Sequence, residues 1–216
     1  MLTGNNPLLE ARLLSLRESL DALAAVVDEN LRAVLRKLTC DEHVNNDTPL
    51  RPVNDLAKQS RECCLLLVAR QQPIASDLKY AMGVLRVGHD YERIQELAES
   101  LNTRVQRLRG TPMQEIIRDM TGVMADILKL HDVIRSIWTR DRDSLCVPNL
   151  HPQVEAITTS ISAGVAKIQS ETIAAISSGR GTAETLVELV VACRHIKRIS
   201  NTMQAIPEEL HSFDPA

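Results

Sequence analysis

Apolar residues recur along most of the chain at alternating steps of three and four, the spacing that places side chains on one face of an α-helix. Leu9, Leu13, Leu16, Leu20, Leu23, Val27, Leu31, Val34 and Leu38 predict one long helix from about Pro7 to Thr39. Pro7 suits its first position, where a missing N–H costs nothing. The polar run Cys40–Pro49 then breaks the pattern, and a second helix is expected from about Pro52 to Gln71, ended by Pro73. The cleanest stripe, Tyr80, Val84, Val87, Tyr91, Ile94, Ala98, Leu101, Val105 and Leu108, marks a third helix closed by Gly110-Thr111-Pro112.

Another stripe follows at once: Met113, Ile116, Met120, Val123, Ile127, Leu130, Ile134 and Ile137. Ile117, Met124, His131 and Trp138 widen it into a face, as a helix with more than one neighbour requires. Pro148 and Pro152 flank the next boundary, before a fifth helix carrying Val154, Ile157, Ile161, Val165 and Ile168. Ser178-Gly179-Arg180-Gly181-Thr182 reads as a tight turn with Thr182 as N-cap. Leu186, Leu189, Cys193, Ile196 and Met203 define a sixth helix, which Pro207 should disturb near its end.

Six helices divide near Gly110 into two groups of three, each reading long helix, polar linker, helix, short turn, helix. Tyr91-x-Arg93-Ile94 and Ile196-x-Arg198-Ile199 are offset by 105 residues, which suggests an internal duplication. The expected fold is therefore all-α, two tandem three-helix bundles spanning residues 1–110 and 111–216.

Composition supports a helical core. Of 216 residues 44% are hydrophobic but only 2% aromatic, which disfavours a β-sandwich or barrel. A net charge of −3 lacks the basic excess of a nucleic-acid binder. The longest apolar run, Cys63–Ala69, is far short of the ~20 residues of a membrane span. The start, MLTGNNPLLEARLL, lacks the basic and apolar regions of a signal peptide. Five cysteines in no regular framework fit a reducing cytoplasm.

Several catalytic motifs are missing from the sequence: it has no GxxxxGK[ST], GxSxG or HExxH. Cys40 and His43 have C-x-x-H spacing without a second pair, and His89, His131 and His195 read as packed or surface side chains. Glu92, Glu96 and Glu99 stack carboxylates a turn apart on the third helix. That arrangement is either a solvated acidic face or half of a cation site.

From Cys63 to Ser100 the chain reads CCLLLVARQQPIASDLKYAMGVLRVGHDYERIQELAES. This segment resembles the PhoU family of bacterial phosphate-uptake regulators in its Gln71-Gln72-Pro73 turn, its Asp77-Leu78-Lys79 helix start and its Asp90-Tyr91-Glu92-Arg93-Ile94 motif. VVACRHIKRI, from Val190 to Ile199, is similar to the matching segment of the family's second repeat. The resemblance implies the same two-bundle fold. It also implies metal clusters held by paired acidic motifs, of which Glu92 and Glu96 keep one pair. The partner positions are Leu50 and Asn54, which cannot supply two anionic ligands. In the second repeat Lys197 and Asn201 replace the acids opposite His151 and Glu155, with Lys197 able to pair with Glu155 instead. The second cluster is therefore expected to be absent, and divalent, iron or zinc binding at Glu92 and Glu96 weak or absent.

The resemblance further implies a non-catalytic, cytoplasmic, homodimeric protein that restrains phosphate uptake and phosphate-starvation signalling. Its implied partners are the ATPase subunit of the phosphate ABC transporter and the phosphate-sensing histidine kinase. Asp90, Arg93 and Arg198 are the motif residues expected to fix helix or partner contacts. Two alternatives are a helical adaptor with partners unrelated to phosphate and a weak metal-binding helical bundle.

Overall fold

A computed structural model describes residues 7–39, 49–71, 75–139 and 151–211. Six helices make up nearly all of it: α1 (Pro7–Thr39), α2 (Asn54–Gln71), α3 (Ala75–Leu108), α4 (Gln114–Thr139), α5 (His151–Ser177) and α6 (Ala183–His211). Among the described residues there is no strand. The Cys40–His43 spacing and the Gln72-Pro73 part of the turn motif lie outside the described residues.

The helix boundaries follow local chemistry. α2 starts two residues later than Pro52, because Val53 supplies the carbonyl that accepts the Ala57 N–H at 3.0 Å. Pro152 lies within the first turn of α5 rather than before the helix, at a position whose N–H has no intrahelical acceptor. α5 ends in a Schellman pair: Arg180 N–H donates to Ala175 O and Gly179 N–H to Ile176 O, with Gly179 at φ 64°. Thr182 caps α6 by accepting the Thr185 N–H on its hydroxyl at 3.2 Å. α6 continues through Pro207, which lacks an N–H to donate, to His211.

The helices pack as two groups. α1, α2 and α3 pack against one another, as do α4, α5 and α6, while α1 also runs along α4 and α3 along α6. These four inner helices enclose the seam between the bundles, with α2 and α5 outside. The predicted stripes are the buried ones: Leu16, Leu20, Leu23, Val27, Ile94, Leu101, Ile127, Ile134, Ile168 and Ile196 are all fully buried in one continuous hydrophobic core. Each such side chain contributes on the order of 1.5–3 kcal/mol relative to exposure. The wide α4 face is explained by its three neighbours, α1, α5 and α6, and Ile117, Met124, His131 and Trp138 are buried with the main stripe.

Two buried threonines on these faces are satisfied within their own helix. Thr158 and Thr172 donate back to the carbonyls of Val154 and Ile168 at 2.9 and 2.7 Å. α4 and α5 approach closely at Gly164, where a Cβ would stand 2.5 Å from Val123 Cγ2. No described helix is long and apolar enough to cross a membrane.

Candidate functional site

The acidic positions of α3 do not form a cation cage. Glu92 accepts a hydrogen bond from Arg61 of α2 at 2.6 Å, and His89 Nδ1 stands 3.7 Å from the same carboxylate oxygen. Glu96 is exposed, and Glu99 accepts a hydrogen bond from Gln95 at 2.8 Å. At the partner positions implied by the resemblance, Leu50 packs on the core and Asn54 is exposed. A guanidinium facing the first carboxylate and an apolar side chain in place of a ligand do not fit a metal cluster at these positions. The second repeat does not fit one either. His151, Glu155, Lys197 and Asn201 are all exposed, and among the described residues no ion pair joins Lys197 to Glu155, so the expected pairing is not formed. Of the motif residues, Asp90 is half-buried, and Arg93 and Arg198 lie at the surface.

The interior chemistry lies elsewhere, in three polar clusters that the apolar stripes conceal. The first joins the helices of the first bundle. Asn30 is buried, donates to Gln95 Oε1 at 2.6 Å and to Arg51 O at 2.8 Å, and accepts the Arg51 N–H at 2.9 Å. This pins the chain entering α2 against α1 and α3.

The second cluster lies in the α1–α4 seam. Arg135 donates to both carboxylate oxygens of Asp21, at 2.7 and 2.9 Å. Its hydrogen bond, with further help from Trp138 and Arg17, holds the Asp21 carboxyl below the usual range against the opposing effect of burial. Tyr91 is fully buried beside them, edge-on to both His131 (ring centroids 5.7 Å apart) and Trp138 (6.1 Å). One turn further, His131 Nδ1 stands 3.5 Å from Asp28 Oδ1, and Arg32 donates to Asp28 Oδ2 at 2.7 Å. His131 and then Arg32 bring the Asp28 carboxyl down to about 2.

The third cluster lies in the α3–α6 seam. Glu188 is buried and accepts from both Arg104 and Arg107, the latter at 2.7 Å. His195 Nε2 stands 3.0 Å from the Ser100 hydroxyl. Burial and the nearby Arg104, Arg198 and Arg194 lower the His195 pKa, which favours the neutral ring.

Sequence reasoning placed His131 on a packed face but not Asp21, Asp28, Glu188 or Arg135 in pairs across the seams. Asp21 and Asp28 are seven residues apart, and His131, Arg135 and Trp138 follow at steps of four and three. Charged residues repeating in phase with a buried stripe were the available signal. Cys64 and Cys193 are buried thiols, pushed up by desolvation to about 12 and about 11, unlike the reactive thiolates of redox sites.

No family model matches the chain. It is 24% identical over 144 residues to a phosphate-specific transport system accessory protein PhoU homolog of Rhizobium meliloti, a stretch that covers 65% of this chain and 57% of that relative. The fold matches the crystal structure of PhoU from Pseudomonas aeruginosa with a TM-score of 0.68, over 94% of this chain and 97% of that one, at 22% identity. The chain thus has the fold of that PhoU structure and a partial sequence similarity to a PhoU homolog, and it spans just over half of that relative's length.

Proposed function

We propose that this chain is a non-catalytic regulator of phosphate homeostasis that restrains phosphate uptake and phosphate-starvation signalling when phosphate is plentiful. It acts by contact with the ATPase subunit of a phosphate ABC transporter and with a phosphate-sensing histidine kinase, as a cytoplasmic homodimer. The observation that carries this reading is the sequence relationship to a phosphate-transport accessory protein, on a chain with the fold of PhoU.

The surface supports a role in protein recognition. Leu65, Val68 and Met82 are exposed on α2 and α3, and Ile173, Val187 and Val190 on α5 and α6. Val68 and Ile173, like Met82 and Val187, are 105 residues apart, the offset of the two motifs. Long helices that leave apolar side chains at corresponding places on both bundles present faces suited to protein contacts.

The test is alkaline phosphatase activity in phosphate-rich medium, with the gene deleted and then restored in its native host. High activity on deletion that falls on restoration is expected. Unchanged activity and phosphate uptake would instead indicate a helical adaptor with partners outside phosphate control.

A further inference from the structure

The Asp28–His131 contact has features that an ordinary ion pair would lack. Both Asp28 Oδ1 and His131 Nδ1 are sealed from solvent, and neither has a hydrogen-bond partner. Their separation of 3.5 Å is too long for a good N–H···O bond. His131 is fully buried, and its other ring nitrogen, Nε2, has no partner either. A buried imidazole without a hydrogen bond normally calls for an explanation.

The geometry of metal coordination provides one. Two ligand atoms at about 2.0–2.1 Å from a tetrahedral ion stand roughly 3.3–3.4 Å apart. Asp28 Oδ1 and His131 Nδ1 are already close to that spacing. A carboxylate oxygen of Asp132, next in sequence to His131, completes a set of three ligand atoms that all lie within 4.8 Å of one another. The edge contact with Tyr91 holds the His131 ring in place.

The local field also favours a cation. Arg32 reaches across both carboxylates, at 2.7 Å from Asp28 Oδ2 and 3.5 Å from Asp132 Oδ1. Its side chain is 44% exposed and that of Asp132 is 62% exposed, so the guanidinium can turn to solvent while Asp132 closes in. One imidazole and two carboxylates suit a borderline divalent ion of the zinc type better than soft or purely oxygen-seeking metals.

We propose that Asp28, His131 and Asp132 form an inter-bundle site for a divalent transition-metal ion such as zinc, with Arg32 as the displaceable cation that competes for it. Asp28 belongs to α1 of the first bundle, and His131 and Asp132 to α4 of the second, so the bound ion ties the two halves together. The site is separate from the acidic positions of α3 and does not depend on the phosphate reading.

The test uses the full-length chain stripped with a chelator. Zn2+ is titrated by calorimetry and thermal melting, and Co2+ by its visible absorption. Wild type should bind one ion per chain, melt at a higher temperature with Zn2+, and give the d–d bands of low-coordinate Co2+. Outer-shell substitutions at metal sites typically cost about 10–100-fold in affinity, so losing a ligand in Asp132→Asn should cost at least that. Asp132 is exposed, so this variant should fold normally and melt like wild type without metal; His131→Gln should also lose the cobalt spectrum. Arg32→Gln should bind more tightly than wild type. Absence of one-to-one binding in wild type, or equal binding in Asp132→Asn, would overturn the site; equal or weaker binding in Arg32→Gln would overturn the role given to Arg32.

Discussion

Arg135 of α4 holds Asp21 of α1 through two hydrogen bonds across the seam between the bundles, although the two residues are 114 apart in sequence. Both side chains are about one-third exposed, so solvent screens much of the attraction. Bidentate geometry nevertheless places the pair at the stronger end of such interactions. A double-mutant cycle of Asp21→Asn and Arg135→Gln, followed by urea denaturation, should give a coupling of about 0.5–1.5 kcal/mol. The coupling should shrink in high salt. A value near zero at low salt would mean that apolar packing alone holds α1 to α4.

The α3–α6 seam should weaken in acid. Burial and the surrounding arginines depress the His195 pKa below 6.5, so the folded state binds a proton less readily than the unfolded chain. His195 therefore adds stability that is fully present above about pH 6.5 and is lost as pH falls through the lowered folded value. Glu188 adds a second loss further down. Burial alone would raise its carboxyl, but hydrogen bonds from Arg107 and Arg104 outweigh this and leave it below 4.5. His195→Gln retains a donor for Ser100 without the titration. Its denaturation midpoint should change less than that of wild type between about pH 7 and 5. Parallel pH profiles for the two proteins would exclude His195 as the source.

Two helical glycines should respond in opposite ways to alanine. Gly122 is exposed in α4, with open space where a Cβ would go. Gly122→Ala should stabilise the protein by about 0.5–1 kcal/mol through helix propensity. Gly164 faces Val123, whose branched side chain has little freedom to move, and a Cβ there would come within 2.5 Å of it. Gly164→Ala should destabilise by roughly 1–2 kcal/mol despite the same propensity gain, because α4 and α5 would have to separate. Thermal melts of the two single variants decide the matter.

Glu92→Gln/Glu96→Gln tests whether the acidic positions of α3 hold a metal. The Glu92–Arg61 pair is partly exposed, so metal-free stability should change by no more than ~1 kcal/mol. Any rise in melting temperature with Zn2+ should persist in this double variant. A metal-dependent rise seen in wild type and abolished here would place the ion on α3 after all.

The helices, their buried faces and most of their ends were legible in the sequence, because each depends on interactions within a few residues. Spacing of three and four aligned Leu16, Leu20 and Ile94 with the core, and the caps at Gly179 and Thr182 follow from glycine and hydroxyl chemistry in the turn. Pro207 falls one turn before the end of α6, and packing on that face, with Met203 and Ile206 fully buried, carries the helix past it.

What only the tertiary structure decided is which charges meet. Asp28 and His131, Asp21 and Arg135, and Glu188 and Arg104 are each separated by more than 80 residues, and apart from His131, whose place on a packed face was legible, each looks like an ordinary helix-surface charge in its own segment. Periodicity specifies the direction in which a side chain points from its own helix. It does not specify which helix lies opposite, and it is the alignment of α1 with α4 and of α3 with α6 that turns isolated charges into partly buried, mutually oriented pairs.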